Sequence, residues 1–407
     1  MRKKLSNLDP ARLSGRVALV RADFNVPTEN GRITDDGRIR ASLPTLRMLS
    51  DAGARTVVMS HMGRPKGRPE PKYTLAPVAE RLEELLGRPV EFVPEPVGPS
   101  VEAAVRDLSD GGVLLLENTR YLPGDTGNDP ELAGAWASLA DLFVYDAFGT
   151  AHRAHASTSG LAEAVIERGG EAVVGMLLDR ELRFLNDALR DPERPFIGIL
   201  GGAKMSGKIP VISALLRKVD RLLIGGAMAN TFFRALGLDT GASLVEEDRV
   251  DMARELIREA ENQLVLPLDC IVADEVAADA RTRVVDREAV GPDDRIMDIG
   301  PRTRAHYAAL VGEARTIVWN GPMGVFEMPP FAEGTMSIAH AVAEACDDGA
   351  LGIVGGGDSG AAAERAGVAD RISHISTGGG ASLDLLAGEV LPGVASLTPA
   401  SVSQEEI

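Results

Sequence analysis

The chain reads Leu-Gly-Ile-Val-Gly-Gly-Gly-Asp-Ser-Gly over residues 351–360, and an alanine-rich helical pattern follows it. A short apolar segment bounded by glycine predicts a buried strand, so this stretch predicts a strand, a glycine-rich loop and a helix. Glycine lets the backbone approach a phosphate closely, and a helix N-terminus directs free N–H groups towards it. We therefore expect Gly356 and Gly357 to bind a phosphate, Asp358 to hold Mg²⁺, and Ser359 to cap the helix or donate to the phosphate.

The same stretch leaves a second hypothesis open, because the glycines at 355, 357 and 360 match the dinucleotide fingerprint G-x-G-x-x-G. That fingerprint belongs near the start of a βαβ unit and requires an acidic residue at the end of the next strand. The next predicted strand ends Ile375-Ser376-Thr377 without an acid. A nicotinamide-dependent oxidoreductase is therefore the second hypothesis.

Outward from this stretch, short apolar segments bounded by Gly, Pro, Asp or Asn alternate with helical patterns. This alternation predicts an α/β fold in which parallel sheets are covered by helices on both faces, and the number of strands requires two sheets. An amphipathic helix over Glu171–Arg190 is expected to join the two halves. The predicted strands are Arg16–Arg21, Thr56–Ser60, Val113–Leu116, Leu142–Tyr145, Phe196–Leu200, Arg221–Ile224, Ile271–Ala273, Thr316–Trp319, Leu351–Val354 and His374–Ser376.

Ligands of open α/β sheets bind beyond the carboxyl ends of the strands, and the loops predicted there differ between the two halves. Fifteen of the 43 lysines and arginines, but only seven of the 60 acidic residues, lie in residues 1–72. Arginine captures carboxylate and phosphate groups in a bidentate manner, so the first half predicts a site for a small molecule that carries both. The residues that carry this prediction are Asp23, Asn25, Arg38, His61, Arg64, Arg120 and Arg153.

The strand-end loops of the second half contain glycine and few cations besides Lys204 and Lys208. Gly202–Lys208 falls one residue short of a P-loop, because Ile209 stands where Ser or Thr would bind Mg²⁺. We expect the two lysines to share one helix face and to bind a polyphosphate between them, the alternative being two exposed lysines. Glu327 is interpreted either as an acceptor for a ribose hydroxyl or as a solvated loop carboxylate.

The composition narrows the class of protein. A net charge of −17 argues against nucleic acid and anionic membranes as partners. No apolar run approaches the roughly 18 residues of a membrane helix, and the N-terminus lacks the apolar region of a secretory signal. The two cysteines, Cys270 and Cys346, form no CxxC pattern, which favours a reduced, cytoplasmic protein without a zinc site or disulfides.

Several long motifs, in order from about residue 16 to about residue 393, resemble the phosphoglycerate kinase family. They are Arg21-Ala-Asp-Phe-Asn-Val-Pro27, Ser60-His-Met-Gly-Arg-Pro65, Leu116-Glu-Asn-Thr-Arg-Tyr121, Asp146-Ala-Phe-Gly-Thr-Ala-His-Arg153, Gly201-Gly-Ala-Lys204, Trp319-Asn-Gly-Pro-Met-Gly-Val-Phe-Glu327, Gly355-Gly-Gly-Asp-Ser359 and Ser376-Thr-Gly-Gly-Gly-Ala-Ser382.

The resemblance implies reversible phosphoryl transfer between 1,3-bisphosphoglycerate with ADP and 3-phosphoglycerate with ATP, using Mg²⁺, in glycolysis. It implies two Rossmann-like parallel-sheet domains joined by a long helix and hinge. The expected boundaries are residues 1–170 for the phosphoglycerate domain, 171–190 for the interdomain helix and 191–379 for the nucleotide domain. Residues 380–407 are expected to return to the first domain. Small molecules would be the partners of a cytoplasmic monomer, with neither nucleic acid nor membrane among them.

The resemblance also assigns the site residues. Phosphoglycerate would be bound by Asp23, Phe24, Asn25, Arg38, His61, Met62, Gly63, Arg64, Arg120 and Arg153. The nucleotide would be bound by Lys204, Lys208, Gly300, Asn320, Glu327, Gly356, Gly357, Asp358 and Ser359, with Asp358 holding the metal. Arg38, Lys204, Gly356 and Gly357 would act on the transferring phosphoryl group. The acceptor carboxylate is already ionised at neutral pH, so no general base is required and domain closure would bring the reactants together.

Two positions depart from the family pattern. Gly207 stands where the family usually has an acidic residue, and Ala227 replaces the last of three glycines at a strand end. A catalytically inactive nucleotide-binding homologue is a third hypothesis, but loss of Arg38 or Lys204 would be its signature and both residues are present.

Overall fold

The computed structural model describes residues 2–400. Two compact units make up the chain. The first contains the residues as far as Leu182 together with those from Val390, and the second contains Arg183–Glu389. Within residues 2–400, no helix combines the length and the apolar character that crossing a membrane requires.

A parallel sheet forms the centre of the first unit, with strand order β5-β6-β4-β1-β7-β8. Three of its four inner strands are buried along their whole length, and the fourth is buried except at Arg55, as expected for apolar segments covered on both faces. A short antiparallel hairpin, β2–β3, follows β1. The strands of this unit are β1 (Val17–Ala22), β2 (Thr28–Glu29), β3 (Arg32–Ile33), β4 (Arg55–Met59), β5 (Val90–Val93), β6 (Val113–Leu116), β7 (Leu142–Asp146) and β8 (Glu171–Val174).

Helices cover this sheet, and the last of them continues into the second unit. Leu43, Leu46 and Leu49 of the first helix are buried in the core. The helices are α1 (Gly37–Asp51), α2 (Ala76–Leu86), α3 (Pro99–Asp107), α4 (Pro123–Thr126), α5 (Pro130–Ala137), α6 (Leu161–Glu167) and α7 (Met176–Arg190).

The prediction of a single helix over residues 171–190 is wrong at its start. Glu171–Val174 form strand β8, which pairs in parallel with β7, and the helix begins at Met176. A short apolar segment fits both the helical and the extended period, so long-range pairing decides its conformation. Gly175 lies between the strand and the helix. Glycine is required there, because a Cβ atom would lie 2.3 Å from Oδ1 of Asp146.

The second unit has a parallel sheet with strand order β11-β10-β9-β15-β16-β17 and a separate sheet with order β13-β12-β14. The predicted strand at Ile271–Ala273 belongs to the separate sheet, which is antiparallel. Its assignment to a parallel sheet is therefore wrong, because length and apolar content do not specify strand direction. The strands are β9 (Phe196–Leu200), β10 (Arg221–Ile224), β11 (Leu264–Val265), β12 (Asp269–Ala273), β13 (Thr282–Asp286), β14 (Arg295–Ile299), β15 (Thr316–Asn320), β16 (Leu351–Gly355) and β17 (His374–Ile375).

In the second unit, helices follow the ends of β9, β10, β15, β16 and β17, all of which were predicted as strands. Trp319 is fully buried in its core beside Ile338 and Val342. The helices are α8 (Ile209–Leu216), α9 (Met228–Ala235), α10 (Val250–Ala260), α11 (Pro301–Gly312), α12 (Glu333–Asp347), α13 (Gly357–Arg365) and α14 (Gly379–Ala387).

The C-terminal segment changes unit after α14. Residues 380–389, which were expected to return to the first domain, lie in the second unit, and the first unit is rejoined at Val390. A short helix, α15 (Pro392–Ala395), follows. Lys3 N donates to Thr398 O at 2.8 Å, and Thr398 N donates to Ala172 O at 2.9 Å, so this segment is tied to the N-terminus and to β8. Residues 401–407 of the predicted tail lie outside the described residues.

Candidate active site

A buried arginine stands at the centre of the cationic loops of the first unit. Arg21 is fully buried near the end of β1, where its Nε atom donates to Ser157 Oγ at 3.1 Å. Its Nη2 atom lies 3.1 Å from Nδ1 of His61. Arg21 is not among the site residues predicted from the sequence, although an arginine inside an apolar strand is a signal for such a role, since buried charges require partners.

Arg38 lies at the start of α1 and is bound to the loop that follows β1. Its Nη1 atom donates to Asn25 O at 3.1 Å and contacts both carboxylate oxygens of Asp23. The Asn25 side chain accepts from Gly63 N at 2.8 Å, which joins this loop to the loop after β4. The structure therefore brings together Asp23, Asn25, Arg38 and the His61–Gly63 loop, as predicted from the strand ends.

Arg120 completes the cluster from the loop after β6. Its Nη1 atom donates to Gly63 O at 2.8 Å, whereas its buried Nε atom has no hydrogen-bond partner among the described residues. Burial, and then the charge of Arg21, lowers the pKa of Arg120 to about 10, with Arg153 acting in the same direction. The positive charge of the Arg120 guanidinium is therefore poorly compensated by its surroundings, and an anion bound here would stabilise that charge.

Both histidines of this cluster are held neutral. Burial, with the positive charge of Arg21 next, lowers the pKa of His61 well below its usual value. Burial also lowers the pKa of His155 to about 4, against the opposing charge of Asp125. Neither imidazole therefore carries a positive charge at neutral pH, and the cations of the cluster are arginines.

The remaining predicted residues of this unit differ in their exposure. Arg64 and Arg153 are exposed in their loops. Phe24 and Met62 are buried in the hydrophobic core, so their side chains hold the loops in place and do not face solvent. Gly63 has φ +59° and lies against the Tyr73 ring, where a Cβ atom would come within 2.2 Å. A side chain at position 63 would displace the loop that Arg120 and Asn25 bind.

The glycine-rich loop of the second unit lies between β16 and α13. Gly356 has φ +98°, and Gly357 begins the helix. Asn320 Nδ2 donates to Gly355 O at 2.9 Å, and the buried Ser359 hydroxyl accepts from Gly321 N at 2.6 Å. These bonds fix the loop after β15 against the start of α13, so that Gly356 and Gly357 stand at a helix N-terminus.

Lys208 is bound to the same pair of loops. Its Nζ atom donates to Gly201 O at 2.6 Å and to Oδ1 of Asn320 at 2.9 Å. Burial lowers the pKa of Lys208 to about 8, against the nearby charge of Asp358. The expectation that Lys204 and Lys208 share one helix face is wrong, because α8 begins after them at Ile209 and only Ser206–Lys208 form a short 3₁₀ turn. Lys204 is exposed.

The other predicted nucleotide residues lie on neighbouring loops of the second unit. Glu327 is exposed, and the preceding Phe326 carbonyl accepts from Nη1 of Arg365 at 2.6 Å. Gly300 is buried before α11, where a Cβ atom would lie 2.3 Å from the Asp269 carboxyl carbon. Ala227 precedes α9 directly after Gly225 and Gly226.

A preformed protein cage for a metal is absent from residues 2–400, in which no three His, Cys, Asp or Glu side chains are grouped as ligands. Asp358 is exposed in the first turn of α13. Magnesium is commonly held by one or two carboxylates together with water and substrate phosphates, so a lone Asp358 in the first turn after the glycine-rich loop fits that ion.

Comparison with known proteins agrees with this architecture. A sequence model of the family described as phosphoglycerate kinase matches residues 8–389. The chain is 56% identical over 393 residues to "Phosphoglycerate kinase" of Chloroflexus aurantiacus, covering 95% of this chain and 97% of the relative. It is 52% identical over 404 residues to the protein of the same name from Synechococcus elongatus, covering 98% and 100%. The solved phosphoglycerate kinase of Coxiella burnetii aligns with a TM-score of 0.85 and 41% identity, covering 97% of this chain and 98% of that one.

Two α/β units built on parallel sheets, one with a cationic cluster and the other with a glycine-rich loop beside Lys208, are typical of one class of protein, the α/β phosphotransferases. Within that class, the chain belongs to the phosphoglycerate kinase family. The resemblance inferred from the motifs is confirmed, and the oxidoreductase hypothesis is set aside.

Proposed function

We propose that the first unit binds phosphoglycerate, that the second binds Mg·ATP or Mg·ADP, and that the chain transfers the phosphoryl group between them. The observation that carries this assignment is the arginine cluster of the first unit. Arg21, Arg38 and Arg120 lie together with neutral histidines, and burial lowers the pKa of Arg120 to about 10. A ligand with a carboxylate and a phosphate supplies the negative charge that this cluster lacks.

In the phosphoglycerate site, guanidinium groups would bind the anionic ends of the substrate. Arg64, Arg120 and Arg153 would bind the phosphate, and Arg38 would bind the carboxyl end that accepts the transferred group. Asp23 and Asn25 would orient Arg38 and the substrate hydroxyl. His61, being neutral, serves as a hydrogen-bonding group, and Phe24, Met62 and Gly63 shape the loops.

In the nucleotide site, the N–H groups of Gly356 and Gly357 would bind phosphate oxygens at the start of α13. Lys204 and Lys208 would neutralise the polyphosphate, with Asn320 holding Lys208 and Ser359 fixing the loop. Glu327 would accept hydrogen bonds from the ribose, and Gly300 would border the nucleoside. Asp358 would hold Mg²⁺, which when bound neutralises phosphate charge and orients the nucleotide for transfer.

The reaction needs no proton acceptor, because the carboxylate of phosphoglycerate is ionised at neutral pH. The catalytic effect is therefore positioning together with stabilisation of charge on the transferring group. Arg38 from the first unit and Lys204 from the second would contact that group, with the Gly356 and Gly357 N–H groups. Closure about the connecting helix would bring the substrates together and exclude water.

The test is a coupled assay with 3-phosphoglycerate and Mg·ATP. The wild type should turn over, and Arg38→Ala should lose at least about 100-fold in kcat, the range seen when one transition-state contact is removed. Arg40→Ala is the matched control, because Arg40 lies on the same helix and is exposed, paired with Asp36. Full activity in Arg38→Ala, or no turnover by the wild type, would contradict the proposal. Removal of Mg²⁺ by a chelator should abolish turnover, and added Mg²⁺ should restore it.

Cytoplasmic location and a monomeric state also belong to this proposal. Cys270 is buried, Cys346 is partly buried, and both are free thiols, which suits a reducing compartment. A light-scattering mass close to the chain mass of 43.0 kDa would support the monomer, and twice that value would contradict it.

A further inference from the structure

A glutamate from a separate loop binds the backbone directly after Lys204. Glu246 Oε2 accepts from Met205 N at 2.5 Å and from Ser206 N at 3.0 Å. These two N–H groups lie at the start of the short helical turn at Ser206–Lys208. A carboxylate at the start of a helical segment is favoured by the partial positive charge of its free N–H groups.

The segment that carries Glu246 is itself fixed to α9. Glu246 N donates to Thr231 Oγ1 at 3.2 Å, and Asn230 Nδ2 donates to Leu244 O at 3.1 Å. Asn230 and Thr231 are buried residues of α9. Glu246 therefore links the segment after Lys204 to the helix that follows Gly225 and Gly226.

The charge state of Glu246 suits this contact. Burial opposes its ionisation, but hydrogen bonds from Ser206 and Met205, together with the charge of Lys204, lower the pKa of Glu246 below its usual value. The carboxylate is therefore ionised at neutral pH, and both hydrogen bonds are charge-assisted.

The segment from Lys204 to Lys208 is thus held at two points. Lys208 binds Gly201 O and Asn320, and the Met205 side chain is fully buried. Lys204 lies at the other end of the segment and is exposed. Glu246 fixes the backbone at the next residue, Met205.

From this geometry we infer that Glu246 is a positioning residue for phosphoryl transfer. It holds the backbone at Met205 and Ser206, so that the Lys204 ammonium is presented to the transferring group. Glu246 does not contact the substrate, and its effect is exerted through Lys204. This inference rests on the proposed function, which assigns Lys204 to the transferring phosphoryl group.

Enzymatic rates are sensitive to the placement of a transition-state contact, so removing the anchor should lower kcat. We expect Glu246→Ala to lose about tenfold or more in kcat, with the KM for 3-phosphoglycerate within about twofold of the wild type. Glu246→Gln keeps one acceptor oxygen for the two N–H groups and should recover much of this loss. Asp248→Ala, two residues on and exposed, is the control and should retain wild-type constants.

The interaction with Lys204 separates a positioning role from general structural support. If Glu246 acts through Lys204, adding Glu246→Ala to Lys204→Ala should lower kcat little further, because the effects of residues that act as a unit are not additive. A full additional loss in the double variant would overturn the inference. So would a kcat of Glu246→Ala within twofold of the wild type.

Two further outcomes keep the test decisive. If Glu246→Ala does not fold, Thr231→Val removes the hydroxyl that binds Glu246 N at nearly constant volume and should lower kcat in the same direction. An unchanged kcat in that variant would then overturn the inference. If the wild type is active and Lys204→Ala is not, yet the Glu246 variants are fully active, this inference fails while the proposed function stands. An inactive wild type would remove both.

Discussion

Arg38 and Asp23 form an ion pair across the first unit's candidate site, with Nη1 of Arg38 at 3.2 Å from each carboxylate oxygen of Asp23. Asp23 is buried at the end of β1, whereas the Arg38 side chain is about one-third exposed. The buried carboxylate therefore orients a guanidinium that remains accessible to a ligand. The rate of the proposed phosphoryl transfer depends on where charge is placed. Asp23 would therefore contribute to that rate by fixing the position of the Arg38 guanidinium.

Replacing Asp23 by Ala should release Arg38 from this orientation. We expect kcat to fall about tenfold or more, since Arg38 would remain charged but would lose its fixed position. Asp23→Asn keeps a polar acceptor of the same shape and should lose less. Asp51→Ala is the control, because Asp51 lies at the exposed end of α1, the helix that carries Arg38. This variant should behave as the wild type in the coupled assay. Equal kcat values for Asp23→Ala and the wild type would show that Arg38 needs no such partner.

Lys208 should give the nucleotide site a pH dependence. Its pKa is lowered to about 8 by burial, so the free enzyme loses this positive charge as the pH rises through that value. The kcat/KM for Mg·ATP, which reports groups of the free enzyme, should fall above about pH 8. Lys208→Arg stays charged and should move the descending limb to higher pH.

Lys218→Arg is the matched control for this profile, since Lys218 Nζ binds the backbone oxygen of Leu189. The profile of that variant should coincide with that of the wild type. A descending limb at the same pH in Lys208→Arg and in the wild type would assign the dependence to another group.

The sequence predicted the strands that carry the sites more reliably than the contacts between loops. Val113–Leu116 and Phe196–Leu200 were predicted with their bounds, because continuous apolar segments between glycine, proline and aspartate have few alternatives. Glu171–Val174 was not, because its apolar residues also fit the helix that follows, and only pairing with β7 decides between the two conformations.

Within the candidate site, too, the sequence predicted the residues at strand ends and did not predict contacts between distant segments. Strand ends identified the cationic cluster, since parallel strands bring their carboxyl ends to one edge. Arg21 lies within the strand rather than after it, so a prediction based on the loops alone does not include it. The contact of Glu246 with Met205 joins residues that are 41 positions apart, with α8, β10 and α9 between them in the chain, and no local pattern indicates it.

The approach of Gly226 to Gly202 should make Gly226→Ala strongly damaging. Gly226 has φ +67°, and a Cβ atom there would lie 2.4 Å from the backbone nitrogen of Gly202. Gly367 has φ +70° with no atom within 4 Å of such a Cβ, so Gly367→Ala reports backbone strain alone. We expect Gly226→Ala to lower the midpoint of thermal unfolding and to raise the KM for ATP by more than Gly367→Ala does. Equal effects of the two substitutions would show that the contact with Gly202 has no consequence.

Gly207 offers a position at which an acidic residue can be restored. A Cβ atom at Gly207 would meet no atom within 4 Å, so Gly207→Asp should fold without displacing its surroundings. We expect the added carboxylate to favour the closed state and therefore to lower the apparent KM for ATP or to raise kcat. Gly207→Ala is the control, because it adds a side chain without charge. Unchanged constants in Gly207→Asp would count against a role for charge at this position.

Asp146, buried at the end of β7, should make stability depend on pH. Burial raises its pKa to about 6, and the neighbouring Glu181 contributes in the same direction, while hydrogen bonds from Thr45 and Leu178 oppose the change. The unfolded chain releases this proton near the ordinary value of 3.8, whereas the folded chain keeps it until about pH 6. The folded state therefore binds more protons in this window, and its stability falls as the pH rises through it.

Asp146→Asn should remove this dependence, since an amide does not titrate and its Oδ1 can accept from Leu178 N, as the carboxylate does at 3.0 Å. A difference of about two pKa units corresponds to roughly 3 kcal/mol, so the free energy of unfolding of Asp146→Asn relative to the wild type should rise by that order between pH 4 and pH 7. Urea unfolding of both proteins across this range measures the difference, in which the other titrating groups cancel. Asp107→Asn, an exposed position at the end of α3, should show no such change. A constant difference between Asp146→Asn and the wild type would mean that Asp146 is ionised in the folded protein throughout the range.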